Sequence, residues 1–262
     1  MNPLMESGAA LEARGLSFAH GSVLSSYPED DFTAQVLALT GSAGVHELDE
    51  ILHPVISGGV DELRSEYIEL FDRQQGHIPL YETEYGPGRS LAKGHELADL
   101  AGFYRAFGVD LGGLNASGSV IGGVNPPADA IASLNASGSV IGGVNPSGLA
   151  ELPDHVAVEL EFYGYLLLKQ AYLRSVGDVE GGEIVADARR KFLTDHLGRF
   201  LPTIVEQLGG GHSRTYQEIF RWCCELVRAE CQRMQVDPGA PRARQGDRES
   251  EEVSCGALPV IR

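Results

Sequence analysis

The sequence has little positive charge. Its 262 residues include 20 Lys and Arg against 37 Asp and Glu, which gives a formal net charge of −17. Such an acidic chain does not suit a phosphate backbone, so we do not expect a nucleic-acid-binding protein.

Long apolar runs are lacking too, because Glu, Lys, Gly or Pro interrupts each one before the roughly 18 to 20 residues that a membrane span needs. The first residues also lack a basic start followed by an apolar stretch, so we predict neither membrane insertion nor secretion.

Cysteine is scarce and is confined to the last 40 residues, at Cys223, Cys224, Cys231 and Cys255. Disulfides among these positions could not cross-link the rest of the chain, so reduced thiols in a cytoplasm are the simplest interpretation. The sequence contains no CxxC or HExxH zinc pattern, no GxGxxG or P-loop, and no GxSxG elbow. We therefore predict no catalytic residues, no metal site and no cofactor.

Helical periodicity dominates the sequence. Between residues 60 and 71, apolar side chains recur at helical spacing at Val60, Leu63, Tyr67, Leu70 and Phe71. This pattern predicts an all-α protein, a single helical-bundle domain of about eight to ten helices over residues 1–235. The other predicted helices cover about 9–26, 30–40, 45–57, 90–107, 152–168, 180–208, with a kink or break at Pro202, and 213–234.

Two segments do not fit a helical bundle. Residues 114–126 recur identically as 134–146, and their Gly, Ser and Asn content disfavours a helix. We predict a flexible tandem-repeat insertion at about 111–148, with a small ordered β element as the alternative. Residues 236–262 are rich in Pro, Gly and charge and are predicted to form a disordered tail.

The segment 151–162 carries polar groups ahead of an apolar helix. Pro153 and Asp154 suit the first turn of that helix. His155 and Glu159 are four residues apart and are predicted to face each other, with Asp154 beside them at the exposed mouth of the helix. Two interpretations remain open at this point: a helix cap with one ion pair, or a binding site at the edge of a hydrophobic element.

A second concentration of polar and aromatic side chains is the loop 81–86. Its two tyrosines and two glutamates could form a surface for a cationic or partly apolar peptide. The alternative is a connecting loop whose tyrosines pack on the core.

Together these segments resemble the TorD family of cytoplasmic chaperones, which includes the TorD, DmsD and NarJ groups. The matching pieces are LRSEYIELFD (63–72), the loop 81–85, GHELADLAGFYRAFG (94–108) and ELPDHVAVELEF (151–162), in the order of the family. The sequence departs from the family pattern at two places. Thr83 stands where the family commonly has Ser, and the repeat lengthens a connection that is usually short.

The resemblance implies an all-α chaperone that binds the leader peptide of a molybdenum-containing oxidoreductase. Its partner would be the apo catalytic subunit, which the chaperone would hold back from export until the molybdopterin cofactor is inserted. Asp154 and His155 fall on the peptide-binding motif of the family, and Tyr81 and Tyr85 fall on the neighbouring aromatic element. With the adjacent carboxylates, the predicted peptide-binding residues are Tyr81, Glu82, Tyr85, Asp154, His155 and Glu159.

Two other classes of function remain open from the sequence. One is a non-catalytic assembly or scaffold subunit of a redox complex. The other is a small helical hydrolase using Asp154, His155 and Glu159, although the sequence offers neither a nucleophile nor a metal site for it.

Overall fold

The computed structural model describes residues 6–40, 59–72, 77–86, 90–109, 152–209 and 215–243. Within these ranges the chain is helical, and an isolated antiparallel β bridge joins Tyr81 to His155. The predicted helix at 45–57 and the predicted insertion at 111–148 lie outside the described residues. The α-helices are α1 (Gly8–Ser25), α2 (Phe32–Thr40), α3 (Val60–Tyr67), α4 (Ser90–Ala106), α5 (Val156–Ser175), α6 (Val179–Phe192), α7 (Gly198–Leu208) and α8 (Thr215–Met234).

The all-α prediction is confirmed, but the helix count is lower than predicted. A π-helical turn, Leu193–Leu197, joins α6 to α7 without a break, so the described residues form seven continuous helical segments. The helix continues through Pro202, which lies inside α7, so the kink or break predicted at this residue does not interrupt the helix. The irregularity instead falls one turn earlier, in the π turn, and π turns are often found at functional sites.

Helix α5 forms the centre of the bundle. Its side chains are buried without interruption from Val156 to Ala171, as expected for a segment that is apolar on nearly every side. Helix α1 packs along it and approaches most closely at Gly15 and Gly164. A Cβ atom on Gly164 would lie 2.8 Å from the carbonyl oxygen of Gly15, so the two backbones can meet only because this side chain is absent.

Four helices are connected by a buried ionic group around Glu230 of α8, which we call the bundle network. The Glu230 carboxylate is 2.5 Å from Arg189 of α6 and 2.6 Å from Arg14 of α1, and it accepts a 3.0 Å hydrogen bond from the Tyr163 hydroxyl of α5. Arg189 also donates to the Gln170 side chain of α5. The bundle network therefore joins α1, α5, α6 and α8 inside the core.

Residues 236–243, which we call the C-terminal arm, follow α8 and contact the rest of the bundle. The Arg242 amide donates to the Arg199 carbonyl at 3.0 Å, and the Thr203 hydroxyl donates to the Arg242 carbonyl at 2.7 Å. Residues 236–243 of the predicted disordered tail therefore make defined contacts in the structure, and Val236 packs against the core. Residues 244–262 lie outside the described residues, and the disorder of the tail stays a prediction.

Among the described helices, none is long and apolar enough to span a membrane. Cys223, Cys224 and Cys231 are buried free thiols, and burial raises the pKa of Cys231 to about 11. These thiols are poor nucleophiles, because nucleophilic attack requires the thiolate form.

Candidate functional site

The two segments singled out in the sequence lie side by side. The Glu82 amide donates to the Asp154 carbonyl at 2.8 Å, and the Val156 amide donates to the Leu80 carbonyl at 2.9 Å. With the bridge between Tyr81 and His155, these bonds fix the loop 81–86 across the start of α5. The Leu80 carbonyl, just before the loop, thereby satisfies one of the backbone donors that the first turn of a helix would otherwise leave free.

An aromatic groove of about 510 Å³ opens beside this junction. The Tyr81 and His155 rings meet edge to face at 5.0 Å, and the Tyr67 and Phe71 rings meet edge to face at 4.9 Å. The groove therefore combines apolar ring surface with a few polar atoms. It is lined by Tyr27, Tyr67, Phe71, Asp72, His77, Pro79, Leu80, Tyr81, Glu84 and His155.

His155 both lines the groove and caps α5. Its Nδ1 atom accepts a 3.2 Å hydrogen bond from the Ala157 amide, which satisfies one of the free donors of the first turn. An accepting Nδ1 places the ring proton on Nε2, so this hydrogen bond favours the neutral imidazole. The prediction that His155 belongs to a helix cap is confirmed, and its role in binding a peptide stays a prediction.

Asp154 does not lie at an exposed mouth, as the sequence analysis expected, but is fully buried. Its Oδ2 atom accepts hydrogen bonds from the Thr83 hydroxyl at 2.6 Å and the Thr83 amide at 3.2 Å. The loop covers the carboxylate by folding back over it, a contact between residues 71 positions apart. Thr83 supplies the hydroxyl that serine would supply, so this departure from the family pattern preserves the hydrogen bond.

Behind the loop, four carboxyl groups form what we call the acidic cluster: Glu82, Glu96, Asp154 and Glu159. Three of them are completely buried, and only Glu96 of α4 reaches solvent. Burial, together with the nearby Glu82 and Asp154 carboxylates, raises the pKa of Glu159 well above its ordinary value. Burial beside these carboxylates therefore favours the neutral form of Glu159 over its carboxylate.

The predicted ion pair between His155 and Glu159 is not formed. Neither carboxyl oxygen of Glu159 makes a hydrogen bond within the described part of the chain. The helical spacing places the two residues on one face, but Nδ1 of His155 turns back to cap the helix and Glu159 points towards the other carboxyl groups.

Two residues that the sequence analysis missed, a histidine and an arginine, reach the acidic cluster. His196, from the π turn, places Nδ1 2.8 Å from one oxygen of Glu82. Arg242, from the C-terminal arm, places Nη1 3.0 Å from the other Glu82 oxygen and 3.5 Å from Glu96. No local sequence signal identified Arg242, because it lies in a segment whose composition is typical of disorder.

The six predicted site residues therefore separate into three groups. Tyr81 and His155 line the groove, whereas Glu82, Asp154 and Glu159 belong to the acidic cluster. Tyr85 is only 1% exposed, donates to the Pro79 carbonyl at 2.7 Å and packs on Phe200, so it supports the loop from inside. The hydrolase alternative has no support here, because Asp154 and Glu159 do not line the groove.

The sequence analysis also missed most of the groove wall. Tyr67 and Phe71 were identified only as part of the apolar stripe of α3, and Tyr27 and His77 gave no signal. Periodicity shows which side chains face inward but not which of them border an opening.

Comparisons with known proteins agree with this architecture. The sequence profile of the nitrate reductase delta subunit family matches residues 139–206. A chlorate reductase assembly chaperone from Ideonella dechloratans is 25% identical over 248 residues, which cover 94% of this chain and all of that protein. No solved structure gave a significant match.

The described residues form an all-α fold, and both matches are to proteins named for reductases, one of them an assembly chaperone. Both matches confirm the resemblance to the chaperones of the NarJ and TorD type. The prediction that the chain is not an enzyme is confirmed by the same two relatives.

Proposed function

We propose that this protein is a cytoplasmic chaperone for the apo catalytic subunit of a molybdenum-containing oxidoreductase. It binds the N-terminal leader of that subunit, assists insertion of the molybdopterin cofactor and delays export until insertion is complete. Two observations support the proposal. The similar proteins are named for nitrate and chlorate reductases, and an aromatic groove lies at the junction of the two segments that resemble the family.

The aromatic groove is the main structural support for leader binding. A leader peptide that combines arginines with an apolar run needs ring surface for its apolar part, and four tyrosine and phenylalanine rings supply it. A volume of about 510 Å³ suits several side chains of such a segment. Asp72 and Glu84 on the groove walls add negative charge, and the net charge of −17 favours encounter with a basic peptide.

Tyr81→Ala tests the groove directly. We expect it to weaken binding of a synthetic peptide, with an Arg-Arg pair followed by an apolar run, by about five- to thirtyfold, because aromatic rings in a pocket dominate such interfaces. Isothermal titration calorimetry measures the effect. Tyr172→Ala is the matched control, since Tyr172 lies at the other end of the 20-residue helix α5 and should leave the affinity unchanged.

The same variants separate a chaperone from a scaffold subunit. Coexpression with the molybdoenzyme subunit should give less molybdenum per subunit with Tyr81→Ala than with Tyr172→Ala. A subunit that serves only as a scaffold would bind its partner equally well in both variants. Equal peptide affinity in both would remove the groove from the proposed function.

A further inference from the structure

The C-terminal arm places one guanidinium group in the acidic cluster. Arg242 is 3.0 Å from Glu82 and 3.5 Å from Glu96, and it donates to the Asp195 carbonyl at 2.7 Å. Its side chain is only 13% exposed, although it comes from a segment of Pro, Gly and charged residues. The arm thus lies on the bundle as a bound peptide would, with a single arginine as its anchor.

The acidic cluster has more acceptors than the described residues satisfy. Both carboxyl oxygens of Glu159 and the Oδ1 atom of Asp154 are buried without a hydrogen-bond partner among them. The contact between Arg242 Nη1 and Glu82 Oε1 is ionic, since neither atom has a well-directed hydrogen bond within that part of the chain. Buried polar groups in native proteins are nearly always paired, and those that are not require an explanation. A ligand that donates hydrogen bonds to these carboxyl oxygens explains them.

The arm is held by contacts that another extended peptide could reproduce. Besides the Arg242 side chain, its anchors are the hydrogen bond from the Arg242 amide to the Arg199 carbonyl, the one that the Thr203 hydroxyl donates to the Arg242 carbonyl, and the one from the Gly86 amide to the Ala243 carbonyl. Gly86 ends the loop 81–86 whose Tyr81 lines the aromatic groove, so the arm and the groove meet the same loop on different sides. A peptide that binds both would extend from the groove to the acidic cluster.

We propose that the acidic cluster is the guanidinium subsite for an arginine of the client leader, and that Arg242 occupies this subsite in the free chaperone. The inference rests on the proposed function. The leader arginine replaces Arg242, because the Oε1 atom of Glu82 would otherwise stay buried without a cation beside it. Arginine suits this exchange better than lysine, since its planar fork can reach two carboxyl groups at once.

Occupation of the subsite by Arg242 lowers the affinity of the chaperone for its client. A tethered arm acts as a competitor at a high effective concentration, so only the fraction of molecules with a displaced arm binds the leader. Removing the anchor therefore strengthens client binding, whereas a purely structural arginine would give unchanged or weaker binding when it is removed.

The first measurement is calorimetric titration of the Arg-Arg peptide into the full chain carrying Arg242→Gln. We expect at least fivefold tighter binding than to the unchanged protein. Arg190→Gln is the matched control, because Arg190 pairs only with Asp187 on the surface of α6 and the charge change is identical. A peptide with Gln-Gln in place of Arg-Arg should bind both variants equally.

The second measurement uses the unchanged protein, so it holds even if Arg242→Gln does not fold. The Arg242 and Gly86 amides are hydrogen-bonded through the arm, and their hydrogen exchange should accelerate when the Arg-Arg peptide saturates the protein. If the peptide binds while both amides stay protected, the arm is not displaced and the inference is wrong. If no variant binds the peptide, the proposed function fails, and the inference fails with it.

Discussion

The bundle network and the acidic cluster are both buried, but their charges are balanced in opposite ways. In the bundle network, the single carboxylate of Glu230 meets Arg189, Arg14 and Arg233, all carried by helices. In the acidic cluster, four carboxyl groups meet His196 and one arginine, and that arginine comes from the C-terminal arm. The first group has its cations fixed by the bundle, whereas the second depends on a cation that can exchange.

This difference distinguishes a structural role from a binding role. A buried carboxylate surrounded by helix-borne arginines stabilises one arrangement of four helices and has no free charge for a ligand to bind. A buried excess of carboxyl groups costs stability, because each charge loses its hydration and repels the next. Such a cost is expected at a binding site, where a ligand or an internal substitute supplies the missing charge.

The largest effect on stability should come from Glu230→Gln. The substitution leaves Arg189 buried without its carboxylate, and breaking a buried pair in this way costs about 3 to 5 kcal/mol of unfolding free energy. Chemical denaturation measures the loss, and peptide affinity in the folded fraction should not change. Glu225→Gln, an exposed position on the same helix, is the control and should stay within about 0.5 kcal/mol of the unchanged protein.

A loss below 1 kcal/mol for Glu230→Gln would contradict the description of the bundle network as structural. If Glu230→Gln lost peptide affinity but kept full stability, the bundle network would serve in binding and not in structure.

The second largest effect tests the contact between Asp154 and Thr83. The sequence analysis predicts a role in binding for Asp154, and its burial and its hydrogen bonds to Thr83 also predict a loss of stability when this contact is removed. Thr83→Val removes the hydroxyl donor and leaves the buried Oδ2 atom of Asp154 with only the 3.2 Å hydrogen bond from the backbone amide of residue 83, at a cost of about 1 to 3 kcal/mol. Thr83→Ser keeps the hydroxyl and is the matched control.

Thermal unfolding of these two variants, and of each combined with Asp154→Asn, gives a double-mutant cycle. A coupling energy near zero for the Val cycle would show that the hydrogen bond contributes nothing.

The sequence predicted the helices well because helical periodicity is local. The predicted segment 9–26 corresponds to α1, and 60–71 corresponds to α3 and the π-helical turn Ile68–Asp72 that follows it. The predicted segment 180–208 corresponds to the continuous α6 and α7. Asp154 was placed wrongly because its burial depends on a loop 71 positions earlier in the chain. Arg242 was missed for the same reason: composition describes a segment by itself, whereas this side chain is held by carboxylates that two other segments supply.

The smallest expected effect is a pH dependence of stability that comes from the acidic cluster and not from the bundle network. Glu159 has a raised pKa in the folded protein, because it is buried beside Glu82 and Asp154. Above pH 4.5, the ordinary value for glutamate, the unfolded chain releases this proton while the folded chain keeps it. The folded state then binds more protons than the unfolded state, so this residue makes the protein less stable as the pH rises.

Glu159→Gln replaces the protonated acid with a neutral side chain of the same shape and removes that dependence. We expect a melting temperature equal to that of the unchanged protein near pH 4.5 and higher by about 2 to 4 °C near pH 8, the shift that 1 kcal/mol produces in a chain of this size. Calorimetric melting across this range measures the difference, with the exposed Glu183→Gln as the control. A difference that stays constant with pH would mean that Glu159 is ionised in the folded protein. The acidic cluster would then carry one more negative charge, and its demand for an arginine would be stronger than the comparison with the bundle network assumes.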